Sequence, residues 1–339
     1  MKPTRRDFLR SGLCGAAAAL TSARLLAEGG GVKTNLPMAV GGASGAATTQ
    51  RTTIAAAAVA RVVQTRSPYI CGAHGIEKSI LHDFIEEGLC AVTGAPNGTD
   101  AWNKLLKPSD VVLIKCNQSA REQLGTTPPV IDEMLRSMVT AGFSLDQIMV
   151  LEAGELSLLR KTRKPDLRWQ GKLVQFGSAG EDSFLAALNE ATAIINVPFI
   201  KTHSMATMSG CLKNLSHGLI RHPARFHANG CDPAIGQIVA SEPIRSKLRL
   251  NVVNGIRLVF DKGPDAQRST IHDAGTMLFS TDPVAADSVA FGLLNSVRSE
   301  RGLKPLNSDT HIPKQLSTAH NLGLGQCDGT QIQSLVLDL

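Results

Sequence analysis

Four polar clusters along the chain carry residue types able to hold a small anion and move its protons. Lys115-Cys116-Asn117 runs into the loop Gly125–Pro129, and Glu152-Ala153-Gly154-Glu155, Lys201-Thr202-His203 and Cys211-Leu212-Lys213-Asn214 follow. Lysine ammonium groups supply point positive charge, and Asn amides supply hydrogen bonds of fixed direction. Thr126 and Thr127 precede two prolines, the expected start of a helix whose backbone N–H groups add donors for an anion. Lys115, Lys201 and Lys213 would then neutralise the ligand, and Asn117, Asn214, Thr126 and Thr127 would orient it. His203 is the first candidate for general acid/base work, since imidazole alone titrates near neutrality when unperturbed. With Lys213 it forms the catalytic pair expected here. Taken singly, each residue also reads as a solvated loop lysine or a satisfied cap. Their recurrence after successive strands is what points to a site.

A metal reading competes with this one. His203, His217, His222 and His227 fall within 25 residues. The ligand candidates are His203, His227, Cys116, Cys211 and Asp287, with Cys116 and Cys211 expected to face one another as thiol ligands or a redox pair. Asp287 would orient a lysine or help hold a cation, and it reads equally as a helix-surface charge. Under this alternative the protein binds a metal or redox cofactor for electron traffic outside the cytoplasm.

The elements that must position these residues alternate. Short apolar runs at Val59–Val63, Val111–Ile114, Ile148–Leu151, Leu173–Phe176, Ala193–Val197, Leu248–Val253 and Thr276–Ser280 predict strands. Helical spacing predicts helices over Glu77–Cys90, from Pro129 to about Gly142, over Asp182–Ala191 and over Asp282–Leu294. Such alternation predicts an α/β fold: two-lobed, with mainly parallel sheets flanked by helices and a central cleft. Ligands in these sheets bind beyond the carboxyl ends of the strands, where the polar clusters fall.

Several functions are excluded by what is missing. No Cys-x-x-Cys pair occurs, so zinc-ribbon and ferredoxin spacings are absent. There is no His-Glu-x-x-His helix, no Gly-x-Ser-x-Gly elbow and no phosphate-loop lysine. Trp102, Trp169 and Tyr69 are too scattered to stack bases. With 43% hydrophobic and 19% charged residues, the 339-residue chain is long enough to bury a full core.

Its net charge of +6 is concentrated at the start. Thr4-Arg5-Arg6-Asp7-Phe8-Leu9-Arg10, then a weakly apolar stretch interrupted by Arg24, resembles the twin-arginine translocation signal. The stretch is too short for a stable membrane span. Taking residues 1–27 as the signal leaves 30 basic against 28 acidic residues, which removes the case for nucleic-acid binding. Residues 28–53 are rich in Gly, Ala and Thr and read as a flexible linker, leaving 54–339 as the α/β region, in one or two lobes. The resemblance implies export by the twin-arginine translocase to the periplasm or another extracytoplasmic space, in the folded state.

Val112–Asn117, Thr126–Pro129, Ile195–His203, Gly210–Leu215, Ser280–Asp287 and Leu322–Gly325 together resemble the family known as domain of unknown function 362, over roughly residues 55–335. Members of that family often carry an added ferredoxin segment, which this chain lacks. Where the family has Lys-Pro-Asn this chain has Lys115-Cys116-Asn117, and Cys211 replaces a small residue. A more distant resemblance is to the nickel-pincer lactate racemases, through His203, Lys213 ten positions later and His227 downstream. It implies a nicotinate-derived nickel cofactor anchored on Lys213, with histidines as ligand or acid/base. The histidine which that family has after the strand 148–151 is absent, Glu152-Ala153-Gly154-Glu155 standing there instead.

Overall fold

The computed structural model describes residues 59–73, 75–154, 158, 161–307 and 312–339. The expected signal (1–27), the linker (28–53) and Glu155 lie outside the described residues. Nine strands form one mixed sheet: β1 (Ala60–Arg66), β2 (Val112–Lys115), β3 (Ile148–Leu151), β4 (Ala193–Asn196), β5 (Phe199–His203), β6 (Thr207–Ser209), β7 (Leu248–Val259), β8 (Ile271–Ser280) and β9 (Ile332–Asp338). Their order is β9-β1-β8-β7-β4-β2-β3, with β5 on β7 and β6 on β5. The β9–β1, β7–β4, β4–β2, β2–β3 and β7–β5 pairs are parallel. The β1–β8, β8–β7 and β5–β6 pairs are antiparallel. This is the mainly parallel α/β arrangement that the alternating pattern predicts.

Helices cover both faces, which is why the central strands read as unbroken apolar runs. Along β2, Val112 and Ile114 pack with α1 (Lys78–Thr93), α2 (Gly98–Leu105) and α3 (Thr127–Thr140). Leu113 between them packs oppositely, with α4 (Cys211–His217), α5 (Ala234–Val239) and α7 (Lys314–Asn321). The long α6 (Pro283–Glu300) packs on Val62, Val253 and Leu278. Trp102 is fully buried under the first layer, its indole N–H donating to Ser137 Oγ at 2.9 Å. Among the described residues no helix is long and apolar enough to cross a membrane.

Local departures from the sequence pattern have specific causes. The helix expected over Asp182–Ala191 shrinks to Ala187–Glu190, and Glu181–Asp182 pairs instead with Val174–Gln175. There the Asp182 carboxylate accepts the backbone N–H of Ser183 and of His222, tying the segment to a remote loop. Strand β7 continues past Gly255, where a Cβ would come within 2.8 Å of Ile200 Cδ1. Lys201-Thr202-His203 is not a loop but the end of β5, which folds back into β6 through Thr207 at φ 68°. Two of the late motifs meet: the Asp282 carboxylate caps α6 through Val284 N and Ala285 N and also accepts Gln326 N at 2.9 Å. A Cβ on Gly325 would lie 1.8 Å from that carboxylate, so the pair of motifs has a structural reason.

Candidate functional site

A cleft of about 390 Å³ opens where β2, β3 and β5 end and α4 begins its course across them. Lys115, Asn117, Lys201, His203, Lys213 and Asn214 all line it. Polar residues that follow buried strands are carried to one edge of the sheet, and α4 brings Lys213 and Asn214 back over the same edge.

The three lysines are held differently. Lys115, fully buried, donates from Nζ to Cys116 O (2.7 Å), Glu152 Oε2 (2.9 Å) and Asn214 Oδ1 (3.2 Å). Gly218 makes room for it, since a Cβ there would lie 2.4 Å from Nζ. Lys201 donates to Asn117 Oδ1 (3.2 Å) and Ser119 O (2.9 Å), both neutral. Burial pulls its pKa down to about 7, with Lys213 and Lys115 adding and Asp265 opposing. Lys213 Nζ lies 3.2 Å from His227 Nε2 and 3.9 Å from Cys231 Sγ. Burial lowers it to about 8. Asn214 continues inward, donating to Lys115 O and to Asn196 Oδ1, and Asn196 donates to Cys211 O and Asn251 Oδ1. Asn251 then donates to Ser280 O, so a buried amide ladder ties α4 to four strands of the sheet.

Three imidazoles gather beside Lys213. The His203 and His227 rings stack at 5.7 Å, and His217 meets His227 edge-on at 4.6 Å. His203 Nδ1 accepts the backbone N–H groups of Met205 and Ala206, both at 3.2 Å, so its proton resides on Nε2. Burial, then Lys213 and His227, push its pKa down to about 3. With Nδ1 taken by the two backbone N–H groups, neutral His203 has an N–H donor at Nε2, and its lowered pKa works against the acid/base role that its side-chain type suggests. His217, expected only as one of several loop histidines, ends α4 one turn after Lys213. Burial, Lys213 and His227 lower it to about 2, against the Phe226 backbone, which lies near the ring outside hydrogen-bond geometry. Cys231 reaches the group through three successive left-handed residues, Asn229 (φ 51°), Gly230 (φ 71°) and Cys231 (φ 65°). Nothing in residue spacing announces such a turn; His217 was findable from its i, i+4 relation to Lys213 once α4 is read as a helix.

Other expected members stand elsewhere. Thr126 Oγ1 donates to Asn254 Oδ1 at 3.1 Å, and Thr127 is buried as the first residue of α3; neither lines the cleft. Cys116 packs with the apolar residues under α1–α3 and Cys211 with those under α6, so the two thiols enter different clusters and do not face each other. Burial pushes Cys116 up to about 12 and Cys211 well above the usual thiol range. Asp287 is fully buried and accepts the backbone N–H of Cys211 (2.5 Å) and Leu212 (3.0 Å), capping α4 from α6. Burial lifts its pKa to about 6. Gly210 leaves the space, as a Cβ would lie 2.2 Å from Asp287 Oδ1. His222 pairs with Asp182 at 2.9 Å, outside the cleft lining.

The residues that the racemase resemblance singles out, His203, Lys213 and His227, do meet in the cleft. At the end of β3, however, Glu152 bonds Lys115 and the N–H of Gln118 where that family has its second histidine. With His203 Nδ1 also occupied by backbone N–H groups, the two-histidine acid/base arrangement that accompanies a nickel-pincer cofactor does not fit here.

Among solved structures the chain is similar to the lactate racemase apoprotein from Thermoanaerobacterium thermosaccharolyticum, at 13% identity and a TM-score of 0.42 over 69% of this chain and 57% of that one. It thus spans little more than half the length of that protein. No curated protein matches the chain. Residues 166–292 match the family described as "Domain of unknown function (DUF362)", and these are the residues that supply Lys201, His203, Lys213, His217, His227 and Cys231.

Proposed function

We propose that the protein is an enzyme acting on a small anionic molecule held in the Lys/Asn/His-lined cleft, and that it is exported by the twin-arginine route. One observation carries the first part: Lys201 and Lys213 are buried with only neutral hydrogen-bond partners among the described residues. A buried ammonium without a counter-ion is costly, and an anionic ligand supplies the missing charge. In this reading Lys201, Lys213 and the Nε2–H of His203 grip the anion, and Asn117 fixes Lys201. Lys213, poised at about 8 beside His227 Nε2, passes a proton to or from the substrate. Export rests on Arg5-Arg6 and the residues around them, in the segment outside the described residues.

Thermal unfolding of the full-length protein against acetate, malate, oxalate and inorganic phosphate tests the binding claim. At least one should raise Tm, and Lys213→Ala should remove that rise while leaving the far-UV circular dichroism unchanged. An equal rise in the variant would refute the reading. Proton exchange from D₂O into the stabilising anion, followed by NMR and lost in Lys213→Ala, separates an enzyme from an inert capture protein. Retention of Arg5→Lys/Arg6→Lys in the cytoplasm tests export.

A further inference from the structure

We propose that His217 Nε2, His227 Nε2 and Cys231 Sγ form a binding site for a divalent metal ion of borderline softness, of the zinc type, and that Lys213 Nζ occupies its place in the metal-free protein. The site stands on its own geometry and does not depend on which anion the cleft takes.

One ring nitrogen of each histidine and the Cys231 sulfur lie within 4.8 Å of one another. Tetrahedral zinc, with bonds of roughly 2.0–2.3 Å to N and S, needs donors roughly 3.3–3.6 Å apart, a contraction of about 1 Å. Both imidazoles present the correct nitrogen. His227 Nδ1 donates to Pro223 O at 3.0 Å, which leaves the Nε2 lone pair free to bind, the outer-shell arrangement that orients a metal-ligating histidine. With the Ser216 hydroxyl donating to Lys213 O (3.3 Å), the 3.0 Å contact between Ser216 Oγ and His217 Nδ1 takes its proton from the ring, the tautomer that the proposed site requires. His217 Nε2 is then a bare lone pair. It is buried and has no hydrogen-bond partner. The left-handed run Asn229–Cys231 is a costly conformation for two non-glycine residues, and it delivers the thiol to this group.

Lys213 explains how the cluster persists without an ion. Its ammonium contacts His227 Nε2 and Cys231 Sγ, two of the three donors, as a monovalent cation would. Metal entry releases one proton from the Cys231 thiol and frees Lys213 towards the cleft. His217 and His227 line that cleft, so a fourth coordination position faces it, open to water or an anion.

Co(II) titration of the full-length protein, in the absence of added anion, tests the site. One equivalent should bind with a thiolate-to-cobalt charge-transfer band and the intense visible bands of tetrahedral Co(II), and Zn(II) should displace it. Cys231→Ser should lose the charge-transfer band, and His217→Ala should weaken binding by more than the ~10–100-fold of an outer-shell change. Both variants are checked for folding by circular dichroism. Lys213→Met should bind Co(II) more tightly, because the competing ammonium is gone. Absence of the charge-transfer band in the wild type overturns the proposal. So does its survival in Cys231→Ser, or unchanged or weaker binding in Lys213→Met. Anion-dependent Tm shifts in metal-free protein report on the cleft reading separately.

Discussion

Lys115 ends β2 and Lys201 lies within β5; both line one cleft and are almost inaccessible, yet their surroundings differ in kind. Lys115 is answered by a carboxylate, a carbonyl and an amide oxygen. Lys201 has an amide oxygen and a carbonyl, with no carboxylate within bonding distance among the described residues. The first arrangement is complete without a ligand and holds α4 against the ends of β2 and β3. The second has only neutral partners, the feature on which the proposed anion site rests. Two lysines in similar motifs thus divide into one with a carboxylate partner and one without, and only those partners distinguish them.

The contrast breaks most easily at Lys115. Lys115→Met leaves Glu152 and Asn214 without their partner and should lower the unfolding free energy by about 3 kcal/mol in urea denaturation; a loss below about 1 kcal/mol would show that the pair holds nothing together. Next in size is Gly218→Ala, whose new methyl collides with Lys115 Nζ; about 2 kcal/mol should be lost, with anion-dependent stabilisation reduced in proportion. Lys201→Met should act in the opposite direction, raising stability by about 1 kcal/mol while abolishing the anion response. The pH dependence sharpens the same point. Lys201 titrates at about 7 in the fold against 10.5 when unperturbed, so between these values the unfolded chain binds the extra proton. Stability of the ligand-free protein therefore rises with pH across that window, by at most roughly 1.4 kcal/mol per unit, and anion affinity falls over the same range. Urea midpoints measured from pH 7 to 10 should show the rise in the wild type and a flatter profile in Lys201→Met.

How much of this was visible in the residues alone follows from range of interaction. Strands β2, β3 and β4 were legible because burial on both faces demands continuous apolar runs, and the lysines after β2 and in β5 were legible because strand ends collect ligands. Strand β9 was not, since Gln333 and Ser334 break its pattern and its pairing with β1 joins the two ends of the described chain. The separation of Cys116 from Cys211 depends on which face of the sheet each residue packs against, a property of register that neither motif encodes. Likewise the role of His203 turned on two backbone N–H groups in the β5–β6 turn, which no side-chain identity reports.

Asp287 gives α4 a fixed pivot. One carboxyl group on α6 clasps the first two amides of α4, while the Asn ladder grips its middle at Asn214. Held at two points, α4 carries Lys213 and His217 on one short helix, so the spacing of the two side chains is set by helix geometry and not by a loop. These two cleft-lining side chains thus share a mount whose anchor, Asp287, lies in the core, out of reach of solvent and ligand alike.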